Sequence, residues 1–66
     1  EIVARLDAAM ADLPDEQREI IVLHLQSGLP FREIARLREI SINTAMSRYR
    51  YGLAKVRSGL NGELEL

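Results

Sequence analysis

The sequence predicts an all-α fold: a small four-helix domain containing a helix-turn-helix, with helices over about 2–12, 14–27, 31–38 and 42–58. Three observations predict it. Apolar residues recur at three- and four-residue spacing from 2 to 60, the period of one face of a helix rather than of a strand. The interruptions are short and made of residues that start or stop helices, namely Pro14, Gly28 with Pro30, and Gly59. Residues 31–57 hold two apolar-striped segments joined only by 38–41, a link so short that the two stripes must meet at a sharp angle and share one core.

In the first helix Ile2, Val3, Leu6, Ala9, Met10 and Leu13 form the apolar face and Asp7 and Asp12 point outward. Pro14 suits the start of the next helix, and Asp15, Glu16 and Glu19 place negative charge where the helix dipole favours it. That second helix carries Ile20, Ile21, Val22, Leu23 and Leu25, apolar on more than one side, so it is expected at the centre of the core. His24 within it is expected to pack rather than to bind. Gly28 closes the helix, where a left-handed residue is needed. In the third helix Phe31, Ile34, Ala35 and Leu37 are assigned to one stripe, and Glu33 lies three residues after Pro30, half of a capping box. The turn 38–40 has no glycine, although tight helix-to-helix turns often use one for positive φ. Ser41 is a good N-cap for the fourth helix, whose core face is Ala45, Tyr49, Leu53, Val56 and Leu60, with Asn43, Met46, Ser47 and Arg50 opposite. Tyr51 is expected half-buried at its edge. The helix is expected to stop at Gly59, giving a domain over 1–60 and a flexible tail over 61–66; starting at Glu1 without Met, the chain is expected to be a piece of a longer protein.

Composition narrows the function classes. Sixty-six residues make one small domain, burying only about 60% of the unfolded surface, so stability is expected to be marginal. There is no cysteine and a single histidine, so no metal site and no cofactor is expected. No apolar run approaches a membrane span and no signal peptide is visible, which predicts a cytoplasmic protein with no membrane partner. No nucleophile, base and stabiliser converge, and no glycine-rich phosphate loop is present, so neither an enzyme nor a small-molecule substrate is expected. The net charge of −1 hides a segregation. Residues 1–30 hold Arg5 and Arg18 against six acids; residues 31–58 hold Arg32, Arg36, Arg38, Arg48, Arg50, Lys55 and Arg57 against Glu33 and Glu39. That is a basic face on an acidic body.

The run of Leu13-Pro14, Arg18-Glu19, Gly28-Leu29, Glu33-Ile34-Ala35, Ile40-Ser41, Thr44, Ser47-Arg48, Leu53-Ala54 and Val56-Arg57 resembles the C-terminal promoter-binding region, region four, of bacterial RNA polymerase sigma factors, especially the extracytoplasmic-function type. The resemblance implies a last helix docked in the major groove of the minus-35 promoter element. As partners it implies double-stranded promoter DNA, the flap of the RNA polymerase core and, often, an anti-sigma factor. The residue chemistry agrees. Short polar side chains near a helix N-terminus reach base edges and arginines grip guanine or phosphate. Asn43, Ser47 and Arg50 are expected at base edges, Thr44 and Arg48 at phosphates, Met46 on the same surface, and Arg32 and Arg38 on the flanking backbone.

The chain departs from the family pattern at Arg38 and Glu39, where leucine and glycine are usual, and at Ala45 and Met46, where valine and lysine are usual. A smaller core and one fewer cation predict weak, salt-sensitive DNA binding in isolation. Two other readings share features of the sequence: the DNA-binding output domain of a two-component or quorum-sensing regulator, and a sigma-like module that binds a protein instead of DNA.

Overall fold

Proline and glycine set the boundaries of the helices. The computed structural model describes residues 2–64, with side chains described for 3–60. The helices are α1 Ile2–Ala11, α2 Asp15–Ile21, α3 Phe31–Arg38 and α4 Ile42–Leu64. α2 passes directly into a π-helical segment, Val22–Gln26. Pro14, extended at ψ 147°, immediately precedes α2, and its carbonyl accepts from the amides of Gln17 and Arg18 at 3.0 Å. At the other end the Ser27 amide donates five residues back to Val22 O at 3.2 Å, and the Leu29 amide donates to Leu23 O at 3.1 Å. Gly28, at φ 71°, supplies the left-handed residue that this closure requires.

Two clusters form the core. Ile20, Ile34, Ala35 and Ala45 are buried in one, with Leu23, Leu29, Phe31, Ile40 and Tyr49 against them. Leu13, Ile21 and Val56 form the other, with Ala9, Met10, Tyr49, Leu53 and Leu60. The neighbours Ile20 and Ile21 thus send α2 into both, and Tyr49 touches both. His24 belongs to this packing, as expected: its ring stacks on Phe31 at 4.1 Å, meets Tyr49 edge-on at 4.9 Å, and its Nδ1 lies 2.9 Å from the Leu29 carbonyl. Arg18 ties α1 to α2. Its guanidinium donates to the carbonyls of Met10, Ala11 and Leu13, at and just beyond the end of α1, at 3.5, 3.4 and 3.2 Å, and it pairs with Asp15.

Several expectations are corrected. Leu37 is 59% exposed, because at 100° per residue the stripe through Phe31 and Ile34 continues to Arg38, not to Leu37. Leu25 is likewise 59% exposed, and Val3 and Leu6 lie outside the core, because the described helices offer these positions no facing element. Tyr51 is exposed rather than half-buried, on the side of α4 turned from the core. α4 does not stop at Gly59 but runs to Leu64. Contact with α1 overrides the glycine's low propensity, since Leu60 packs in the second cluster with Ala9 and Met10 of α1. The tail expected over 61–66 falls on side chains outside the described residues.

Gly52 is the inward residue that periodicity passes over. It is buried, and a Cβ there would stand 2.8 Å from Ile21 Cδ1 and 3.3 Å from Gln17 Cβ, so a side chain at this crossing of α4 on α2 would force the buried Ile21 to shift. Gly52→Val is expected to destabilise the fold by about 1–3 kcal/mol through overpacking, whereas Gly59→Ala is expected to stabilise it by about 0.5–1 kcal/mol through helix propensity. Urea unfolding of the two variants against the parent chain checks both signs.

Candidate nucleic-acid interface

The first turn of α4 is placed by what ends α3. Glu39 takes the left-handed conformation, φ 57° and ψ 45°. This turn therefore does use positive φ, on a residue that carries a Cβ. The amide of Ile40 donates to Ala35 O at 3.0 Å and that of Glu39 to Arg36 O at 3.3 Å, the paired bonds of a Schellman closure, and Ile40 packs beside Ala35 in the first cluster. Ser41 then caps α4: its Oγ accepts the Thr44 amide at 3.0 Å and donates to Thr44 Oγ1 at 2.9 Å, while its carbonyl accepts from the Ala45 amide at 3.0 Å.

Burial of Ala45, Gly52 and Val56, with Tyr49 half-buried between them, fixes the rotation of α4. Asn43, Arg50 and Ala54 consequently stand exposed on the opposite face, with Ser47 half-buried on the same line, at steps of four, three and four. Met46, 43% exposed, borders that face on one side; Thr44 and Arg48, both half-buried, border it on the other. The hydroxyl of Thr44 is already engaged by Ser41. Arg50 also lies over the Tyr51 ring, 5.7 Å from its centroid.

The arginines of α3 and α4 differ in their surroundings. Arg36 pairs with Glu33 at 2.9 Å, and Arg38 pairs with Glu19 of α2. Arg38 points toward α2 for the reason that Leu37 does not: it continues the inward stripe. In contrast Arg32, Arg48, Arg50, Lys55 and Arg57 have no carboxylate partner among the described residues. Among the described residues α4 therefore presents four cations without a carboxylate partner along one helix.

A comparison with known families matches residues 4–56 to Sigma-70, region 4. The chain belongs to the Sigma-70 region 4 family. Region 4 is a DNA-binding regulatory domain rather than a catalytic one, and in sigma factors it serves binding at the minus-35 promoter element and interaction with the RNA polymerase core. No curated protein and no solved structure matches the chain. No helix among the described residues is long and apolar enough to cross a membrane.

The helix-turn-helix of this region 4 domain brings together Asn43, Met46, Ser47, Arg48 and Arg50 of the expected set, leaves Arg32 exposed on α3, and engages Arg38 with Glu19. Sequence reasoning passes over Glu19, whose partner lies nineteen residues away. It also passes over Gly52, signalled by small residues at Ala45 and Gly52, one heptad apart on the inward face. The cap and the strained turn yield opposite expectations. Ser41→Ala is expected to destabilise the domain by about 1 kcal/mol, and Glu39→Gly to stabilise it by about 0.5–1 kcal/mol by relieving left-handed strain. Thermal melts of both variants followed by circular dichroism check the pair.

Proposed function

We propose that this domain, as part of a sigma factor of the extracytoplasmic-function type, binds the minus-35 element by laying the first turns of α4 in the major groove. Asn43, Ser47 and Arg50 face base edges. Met46 meets apolar base-edge groups such as the thymine methyl, and Thr44 and Arg48 lie against phosphates. Arg32 adds charge toward the flanking backbone; Arg38 adds less, because Glu19 already neutralises it. The observation that carries this reading is the coincidence on α4 of a polar outward face with four cations lacking carboxylate partners among the described residues, beginning at a Ser41-capped helix N-terminus that favours an anion.

The polymerase flap and an anti-sigma factor are the protein partners this reading implies, and the cytoplasm the place where it acts. Affinity of the domain alone is low, and the polymerase and a second promoter-binding region raise it by effective concentration. The apolar side chains exposed at Leu6 and Leu25 favour a second reading, a module that docks protein through this face instead of reading DNA.

A titration of labelled domain with a minus-35 duplex and a scrambled one, at two salt concentrations, tests the proposal residue by residue. Specific, salt-weakened amide shifts are expected within 42–50. Arg50→Ala is expected to narrow the affinity gap between the duplexes about tenfold. Arg48→Ala is expected to weaken both alike and to lower the salt slope by about one unit. Amides that stay unmoved by either duplex at low salt leave the protein-docking reading in its place.

A further inference from the structure

Two shallow apolar grooves meet at Leu53. One, of about 230 Å³, runs between α1, the π-helical segment and α4 and is lined by Leu6, Asp7, Met10, Leu25 and Leu53 among others. The other, of about 350 Å³, lies along α4 and is lined by Met46, Arg50, Leu53 and Arg57 among others. Leu6, Leu25 and Met46 are 41, 59 and 43% exposed, so together the grooves make one apolar surface that the described helices leave uncovered. An apolar surface left open between charged side chains is available for contact with another molecule.

The charge at its two ends is opposite. Asp7 belongs to the first groove, and Arg50 and Arg57 to the second. Neither Asp7 nor Arg57 has a hydrogen-bond or ion-pair partner among the described residues. A surface acidic at one end, basic at the other and apolar between is complementary to itself when one copy is turned by a two-fold axis through its middle, which sets each acidic end on a basic one. The same segregation runs through the chain, with acids concentrated in the first half and cations in the second.

We propose that this face is a self-association surface, on which two copies of the chain pair about a two-fold axis through Leu53, with Asp7 of each against Arg57 of the other and Leu25 and Met46 buried between them. Such a dimer covers Met46 and Arg50, so pairing and the presentation of α4 to a duplex exclude one another. The proposal does not depend on the promoter reading, because it is read by mass alone.

The test is sedimentation equilibrium of the full chain across the micromolar-to-millimolar range at low and high salt, with Asp7→Arg and Arg57→Asp measured separately and mixed. A monomer–dimer equilibrium weakened by salt is expected. Each variant alone is expected to dimerise about tenfold more weakly, since it sets like charges together twice. The equimolar mixture is expected to recover the parent affinity as a heterodimer, in which both contacts are again of opposite sign. Recovery on mixing cannot come from a folding defect, and circular dichroism of each variant confirms the helices. A chain monomeric throughout, a dimer indifferent to both reversals, or growth beyond the dimer overturns the proposal.

Discussion

Everything about the presentation of α4 depends on the packing of Tyr49, half-buried where the two core clusters meet. Neither cluster is large: four buried residues in one and three in the other, as a chain of this length allows. Tyr49 packs in both, and its ring meets Phe31 edge-on at 5.1 Å and His24 at 4.9 Å. Those contacts join the helix-turn-helix to the α1–α2 support. They also fix the rotation of α4 about its own axis, because Ala45 and Gly52 must turn inward on either side of the ring. The outward line of Asn43, Ser47 and Arg50 is therefore a consequence of apolar packing on the other side of the helix. Residues on such a face can change without disturbing the core.

The angle between α3 and α4 has a separate origin, and here local and tertiary terms oppose one another. A left-handed residue with a Cβ is disfavoured by about 1–2 kcal/mol, yet Glu39 adopts that conformation. It is held there by the two Schellman bonds, by burial of Ile40 beside Ala35, and by the cap that Ser41 supplies immediately afterwards. The Arg38–Glu19 pair adds a tether from the end of α3 to α2, modest in energy because both side chains are about half exposed. The two residues by which the turn departs from the family pattern thus differ in sign, Glu39 straining the turn and Arg38 anchoring it.

The sequence makes some of this legible and leaves the rest hidden for identifiable reasons. Ser41 as a cap, Gly28 as a left-handed closure and the inward face of α4 follow from local chemistry, so residue type and spacing are enough. Leu6, Leu25 and Leu37 are misplaced because periodicity identifies an apolar face but cannot say whether a partner element covers it. Gly52 is missed because glycine in a helix invites reading as a weak point, when here it is a point of contact. The outward position of Asn43, Ser47 and Arg50 is legible by the same rule that fixes the core. The neutralisation of Arg38 is not, since Glu19 comes beside it only when α2 and α3 pack. The DNA-contacting roles proposed for these residues rest on chemistry and on the family.

Net charge is the descriptor that misleads most. A value of −1 suggests indifference to a polyanion, but charges farther apart than the Debye length, about 8 Å at physiological salt, are largely screened. A phosphate at the N-terminal turns of α4 therefore responds to Arg48, Arg50 and the helix end, and little to distant acids on α1. What matters is local compensation. Glu33 of α3 and Glu19 of α2 cancel Arg36 and Arg38 of α3; on α4 no described carboxylate cancels any cation. Removing a compensating acid from α3 and adding a cation to it are thus electrostatically similar changes, and the fold decides which arginines are free to act. The basic surface of this domain is set by how its helices pack as much as by its composition.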